Sequence, residues 1–222
     1  MISRGEYWLL ETLVDGHCCS LYGLGLANGE IERSFGRIGH SLNTADLIDA
    51  VLHLLREGDL IADGGEPDPI RFAPTRDELE EGLTKDLGFW YRISQQGAAR
   101  WEAISKPDWN RLSLQSFYPD GHGEVIAVER DWAERCYSGF NHTPTRPVVG
   151  TDVWDEIEFW EATTWKTLPR AHRVQFKYVE IENWSRSSTR PAWLEKMGKW
   201  YTSPFESDEE HKENSNVLDP SL

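Results

Sequence analysis

Residues 43–58, NTADLIDAVLHLLREG, form the most strongly periodic stretch of the chain and read as a helix from end to end. Asn43 is placed to cap it, and Asp46 lies where the positive end of the helix favours a carboxylate. Leu47, Ile48, Val51, Leu52, Leu54 and Leu55 make a broad apolar face, and Gly58 stops the helix. A face that wide has to be covered by other elements, and the neighbouring sequence supplies them. SRGE at Ser3–Glu6 has capping-box spacing, followed by Tyr7, Leu10, Leu13 and Val14 at helical intervals, with Gly16 at the end. DLIAD reads as a strand, FWYRI as a returning strand with Phe89, Tyr91 and Ile93 on one face, and SQQGAARWEAIS as a helix capped by Ser94. In the long connection between the two strands, TRDE at Thr75–Glu78 is a second capping box and predicts a short acidic helix. The Gly-rich CSLYGLGLANGEIERSFGRIG has room for one short helix.

The segment YRISQQGAARWE resembles the wing-exit segment of the MarR/PadR-like winged-helix group, in which a tyrosine-containing strand leads into a T/S-x-x-G helix start. The similarity in element order runs over residues 1–105: helix, helix, strand, long wing, strand, helix. It implies a winged helix-turn-helix domain with NTADLIDAVLHLLREG as the recognition helix. A helix inserted into the wing departs from the plain pattern of that group.

Charge argues against the DNA binding that such a fold implies. Of the formal charge of −15, a net −9 falls on residues 1–105 and −5 on residues 206–222. The polar face of the recognition helix presents Thr44, Asp46, Asp49, His53, Arg56 and Glu57, and the wing helix adds Asp77, Glu78, Glu80 and Glu81. Readers of base edges place Arg, Lys, Asn or Gln on this face, and phosphate affinity comes from cations that release counterions. Carboxylates there repel a duplex. Fold and function separate readily, so the expectation is a protein-binding scaffold with a basic protein as partner.

KPDWNR marks the junction to a second domain, residues 106–205, and ESDEEHKENSNVLDPSL (206–222) reads as a disordered acidic tail. LSLQSFY and EVIAVE flank the turn PDGHG as a hairpin, and RDWAERCYSGF follows as a helix with Trp132, Cys136 and Phe140 inward. NHTPTRPVVG and KTLPRAH read as loops. TDVWDEIEFWEATTW fits a helix by the spacing of Val153, Ile157, Trp160 and Thr164, and a strand by composition. HRVQFKYVEIE alternates as a half-exposed strand, and TRPAWLEKMGKWY reads as a helix with Pro191 at its start and Trp193, Met197, Trp200 and Tyr201 in one stripe. Eight of the eleven Trp lie in this half. Most of them are needed for its core, and Trp165 and Trp184 are the two expected at a binding surface.

Catalytic patterns are sparse. HCC at 17–19 lacks the spacing that lets ligands converge on a metal. Asp120, His122 and Glu124 alternate in a Gly-rich turn, and Cys136 with His142 lacks an orienting third group. No metal or cofactor is expected. The three cysteines fit a reducing compartment, and neither a membrane span nor a leader is apparent. The overall expectation is an α+β protein: an N-terminal winged-helix-like domain followed by a small Trp-rich α+β domain. Its role would be that of a non-catalytic, cytoplasmic, bacterial binding module, in one form an immunity-type partner that neutralises a basic effector. Its partner-binding residues would be Asp46, Asp49, His53, Glu57, Asp77, Glu78, Glu80, Glu81, Trp165 and Trp184. The alternatives are a regulator binding DNA as a dimer through Arg33, Arg37, Arg92 and Arg100, and a hydrolase built around His122, Glu124, Cys136 and His142.

Overall fold

Helices and antiparallel strands both contribute to the computed structural model, which is of the α+β class and describes residues 2–16, 19–26, 42–63, 73–85, 90–182 and 200–205. His17, Cys18, Arg33, Arg37, Phe89, Trp184, the expected helix start at Pro191 with Trp193 and Met197, and the tail 206–222 lie outside the described residues. The chain divides into two compact units, Met1–Ser105 joined by the segment from Ser203, and Lys106–Thr202.

The first unit contains α1 (Arg4–Gly16), β1 (Cys19–Ser20), α2 (Leu21–Leu26), α3 (Thr44–Glu57), β2 (Leu60–Asp63), α4 (Arg76–Thr84), β3 (Trp90–Ile93) and α5 (Gln95–Ser105). Its strands are antiparallel in the order β1-β3-β2, with Leu60 opposite Ile93 and Cys19 opposite Tyr91. The caps read at Ser3, Asn43, Gly58, Thr75 and Ser94 are made. Ser3 Oγ accepts from Glu6 N at 3.2 Å, while Ser3 N donates to the Glu6 carboxylate at 2.7 Å. Asn43 Oδ1 accepts from Asp46 N at 2.9 Å, and Thr75 and Glu78 form the reciprocal box at the start of α4. Gly58 ends α3 at φ 80°, a left-handed conformation that glycine adopts without a Cβ penalty. The core gathers Leu9, Leu10, Leu13, Leu47, Ile48, Val51, Leu54, Leu79, Tyr91, Ile93 and Trp101. Leu52 and Leu55 are only half-buried, so the buried stripe of α3 is narrower than the six-residue face expected.

The start of α5 explains why SQQG is built as it is. Ser94 N donates to Asp59 O at 2.9 Å, and Ser94 Oγ donates to Gly58 O at 2.6 Å while accepting from Gly97 N at 3.0 Å. Gly97 lies directly on the backbone of Asp59, where an added Cβ would sit 2.2 Å from the Asp59 carbonyl oxygen. The Asp59 carboxylate is buried and pairs with Arg100, one turn further along α5.

The second unit holds β4 (Ser113–Phe117), β5 (His122–Ala127), α6 (Arg130–Gly139), β6 (Thr145–Pro147), β7 (Val153–Glu161) and β8 (Thr167–Glu180), with 3-10 turns at Trp109–Arg111 and Phe140–His142. These strands form an antiparallel sheet in the order β4-β5-β8-β6, with β7 also paired to β8. Helix α6 covers one face, where Val125, Cys136, Phe140, Val174 and Phe176 make the core and Trp132, Tyr137, Trp154 and Tyr178 surround it. Val174, Phe176 and Tyr178 point inward and Gln175 and Lys177 outward, in line with the alternation of HRVQFKYVEIE. Pairing resolves a segment that fitted two patterns and corrects two expected loops, NHTPTRPVVG, which holds β6, and KTLPRAH. TDVWDEIEFWEATTW is a strand, and KTLPRAH is the first part of β8 rather than a loop. Cross-strand pairing decides both, since β7 and β8 match from Val153↔Gln175 to Glu161↔Thr167. Asp155 also receives two hydrogen bonds from Arg173, at 3.0 and 2.5 Å.

Gly97→Ala is expected to destabilise the chain by about 3 kcal/mol, because backbone rather than a flexible side chain blocks the methyl group. Gly150→Ala, at φ 78° in open space, is expected to cost about 1 kcal/mol from the left-handed backbone alone. Urea unfolding followed by Trp fluorescence checks the contrast.

Candidate functional site

The acidic residues singled out in the first unit lie on α3 and α4, which an Arg76–Asp49 ion pair ties together. Their side chains are exposed, yet most are engaged locally. Asp46 accepts from Asn43 Nδ2 at 2.7 Å. Glu78 closes the capping box of α4, and its bonds from the Thr75 backbone and hydroxyl hold its carboxyl below the ordinary range. Glu80 lies 3.9 Å from Arg76, and Glu81 pairs with Lys85 at 2.9 Å, a bond that raises the Lys85 ammonium. Asp77 is exposed and has no partner among the described residues. A surface laced with such pairs still carries excess negative charge, with Arg56, Arg76 and Lys85 as the cations of the two helices and their C-caps.

His53 is the pivot of this surface. Its Nδ1 bonds the Glu6 carboxylate of α1, and its Nε2 lies 3.9 Å from Glu57. Glu6 is buried, which raises a carboxyl pKa, but donation from the Ser3 backbone and hydroxyl and from His53 outweighs burial and leaves it below 4.5. The Glu6 box therefore fixes α1 and His53 together. Fixing His53 orients one polar residue of α3.

No protein-family model, no curated protein and no solved structure matches the chain. Its chemistry has to be read from its own side chains.

The other predicted residues do not converge. Arg100 is engaged by the buried Asp59 and is not an open phosphate contact. Trp165 belongs to the second unit and is half-buried in the tight turn between β7 and β8, where Thr163 Oγ1 accepts from Trp165 N at 3.3 Å and Lys166 N at 3.0 Å. Glu124 accepts from the Tyr118 hydroxyl at 2.6 Å, whereas His122 pairs with Asp120 at 3.1 Å, so the alternating triad is split between two partners. Cys136 is a core residue whose thiol is pushed up by burial, the opposite of what a nucleophile requires. No bond joins it to His142 among the described residues. Among those residues, no group of three His, Cys, Asp or Glu is placed to hold a metal ion, and no helix is long and apolar enough to cross a membrane.

The exposed acidic strand β7, with Asp155, Glu156, Glu158 and Glu161, was missed as a surface because its helix and strand periodicities compete. Its one legible signal was the absence of any basic residue from Thr151 to Trp165.

Glu6 contributes stability as a carboxylate above the ordinary value of 4.5, and that contribution is lost as the pH falls through its lowered folded value. Glu6→Gln is therefore expected to lower stability at neutral pH. The gap to the parent chain should stay constant down to about 4.5 and close at lower pH, as read from urea midpoints across pH.

Proposed function

We propose that the chain is a non-catalytic protein-binding protein whose first unit uses a winged-helix scaffold of the MarR/PadR-like kind to engage a basic protein. Support for the scaffold is topological. Among the described residues the order α1-β1-α2-α3-β2-β3 with strands β1-β3-β2 accords with a winged helix, in which α3 would take the position of the reading helix and α4 would lie inside the wing connection. The second unit, with its aromatic rim around α6, is the Trp-rich α+β domain of this reading.

The observation that carries the functional reading is the exposed face of α3. It bears Asp46, Asp49 and Glu57 against Arg56, and the Arg76–Asp49 pair extends it to Asp77, Glu80 and Glu81 of α4. A duplex requires cations at this position to release counterions, while an acidic face steers rapidly onto a basic protein. Occluding a basic effector, as an immunity-type partner does, is the concrete form of this activity. A reducing, cytoplasmic setting is part of this reading and accords with three cysteines that include an adjacent pair.

The test is affinity capture from a lysate of the source organism at low and high salt, with bound protein and nucleic acid both identified. The parent chain is compared with Glu57→Lys/Asp77→Lys and with Asp120→Lys/Glu134→Lys, which changes net charge equally but on the second unit. A basic protein held at low salt, released at high salt and lost in the first variant alone is the expected result. Recovery of duplex DNA, or equal retention by both variants, contradicts the reading.

A further inference from the structure

Strand β7 borders the sheet of the second unit. Among the described residues it pairs with β8 and no other strand, although it runs for nine residues. In an antiparallel ladder alternate residues direct N–H and C=O to the same side, so every second residue of β7 offers its backbone outward. Natural edges of this length carry protection, and here the protection is charge. Asp155, Glu156, Glu158 and Glu161 are all exposed and no cation interrupts them. Asp155 is taken by Arg173 and Glu156 lies 3.6 Å from His172, whereas Glu158 and Glu161 have no ion-pair partner among the described residues.

That charge rejects one occupant and selects another. A second copy of β7 laid antiparallel about Ile157 would set Glu156 against Glu158 at two places, and directly opposed like charges destabilise a pair of strands. An extended segment rich in Lys or Arg meets opposite charges at the same positions. Two apolar side chains mark the strand as more than a charged barrier: Val153 is 63% exposed and Phe159 is 73% exposed. Phe159 also sits at φ 56°, a left-handed backbone rare for a bulky residue. It lies across from Pro169, which has no N–H to give, and the ladder passes from Glu158↔Arg170 to Trp160↔Leu168 without a pair at Phe159. The ring is thus exposed at a break in the ladder.

We infer that the outer edge of β7 accepts an extended basic segment of a partner protein by strand addition, with Phe159 as an apolar anchor. Backbone bonds supply the affinity in such a mode, and side-chain charge supplies the choice of partner. The inference rests on the reading that the partner is a basic protein, but it locates a contact independent of α3 and α4.

The test uses the full chain and a fluorescein-labelled peptide of five Lys-Thr repeats, with its Glu-Thr counterpart and a form N-methylated at alternate residues, followed by anisotropy. The Lys-Thr peptide is expected to bind and the Glu-Thr peptide to show no binding. N-methylation, which removes the ladder donors without touching the protein, is expected to weaken binding at least tenfold. Glu156→Gln/Glu158→Gln is expected to weaken it about fivefold, and Asp120→Lys/Glu134→Lys to leave it unchanged. Equal binding of the N-methylated peptide, or no binding of the Lys-Thr peptide, overturns strand addition. Loss of binding in Glu57→Lys/Asp77→Lys alone moves the contact to α3 and α4, which overturns the edge proposal and leaves the first-unit reading standing. Peptide binding at β7 together with failure of the lysate capture would do the reverse.

Discussion

The backbone of Asp59 is the point on which the first unit turns. It follows the left-handed Gly58 that ends α3, it begins the run into β2, and its carbonyl accepts the N–H of Ser94 at the end of β3. Gly97 presses against it from α5, and Arg100 neutralises its buried carboxylate. Four elements are thus tied at one peptide. Leaving a charge buried without its partner is strongly destabilising, so the pair and the close backbone contact hold or fail together. Because α3 leaves this node in a fixed direction, its polar face is presented by rigid structure rather than by a loop.

What that face presents is governed by electrostatics more than by shape. Exposed single ion pairs contribute little stability, typically about 0–1 kcal/mol. The Arg76–Asp49 and Lys85–Glu81 pairs are therefore better regarded as setting side-chain direction and lowering the local charge. The excess that remains is acidic, on the helix that the proposed scaffold would use as its reading helix. The second unit repeats the theme in another form, with cross-strand pairs between β7 and β8, and with Glu158 and Glu161 lacking an ion-pair partner among the described residues.

Much of the first unit was legible before any coordinates because its signals are local. Ser3/Glu6, Asn43, Thr75/Glu78 and Ser94 each announce a helix start through bonds spanning three residues, and all four are made. Gly97 was legible as a motif position, but its reason was not, since the atom that requires glycine belongs to Asp59, far away in sequence. The same limit hid the state of the acidic residues. Asp49 has its partner on α4, and His53 has its partner on α1, so neither pairing follows from periodicity. In the second unit, residues 151–165 satisfied both a helical and a strand pattern, and only register with β8 separates them. The edge of β7 became visible as a surface only once that register was known.

In the proposed winged-helix reading, α3 takes the place of a reading helix and carries charges that turn a duplex away. The most direct measurement is a titration of the full chain into a fluorescein-labelled random-sequence duplex at low ionic strength, where any electrostatic affinity is greatest. The account predicts no change in anisotropy up to the highest protein concentration. Saturable binding that weakens as salt is added would contradict it.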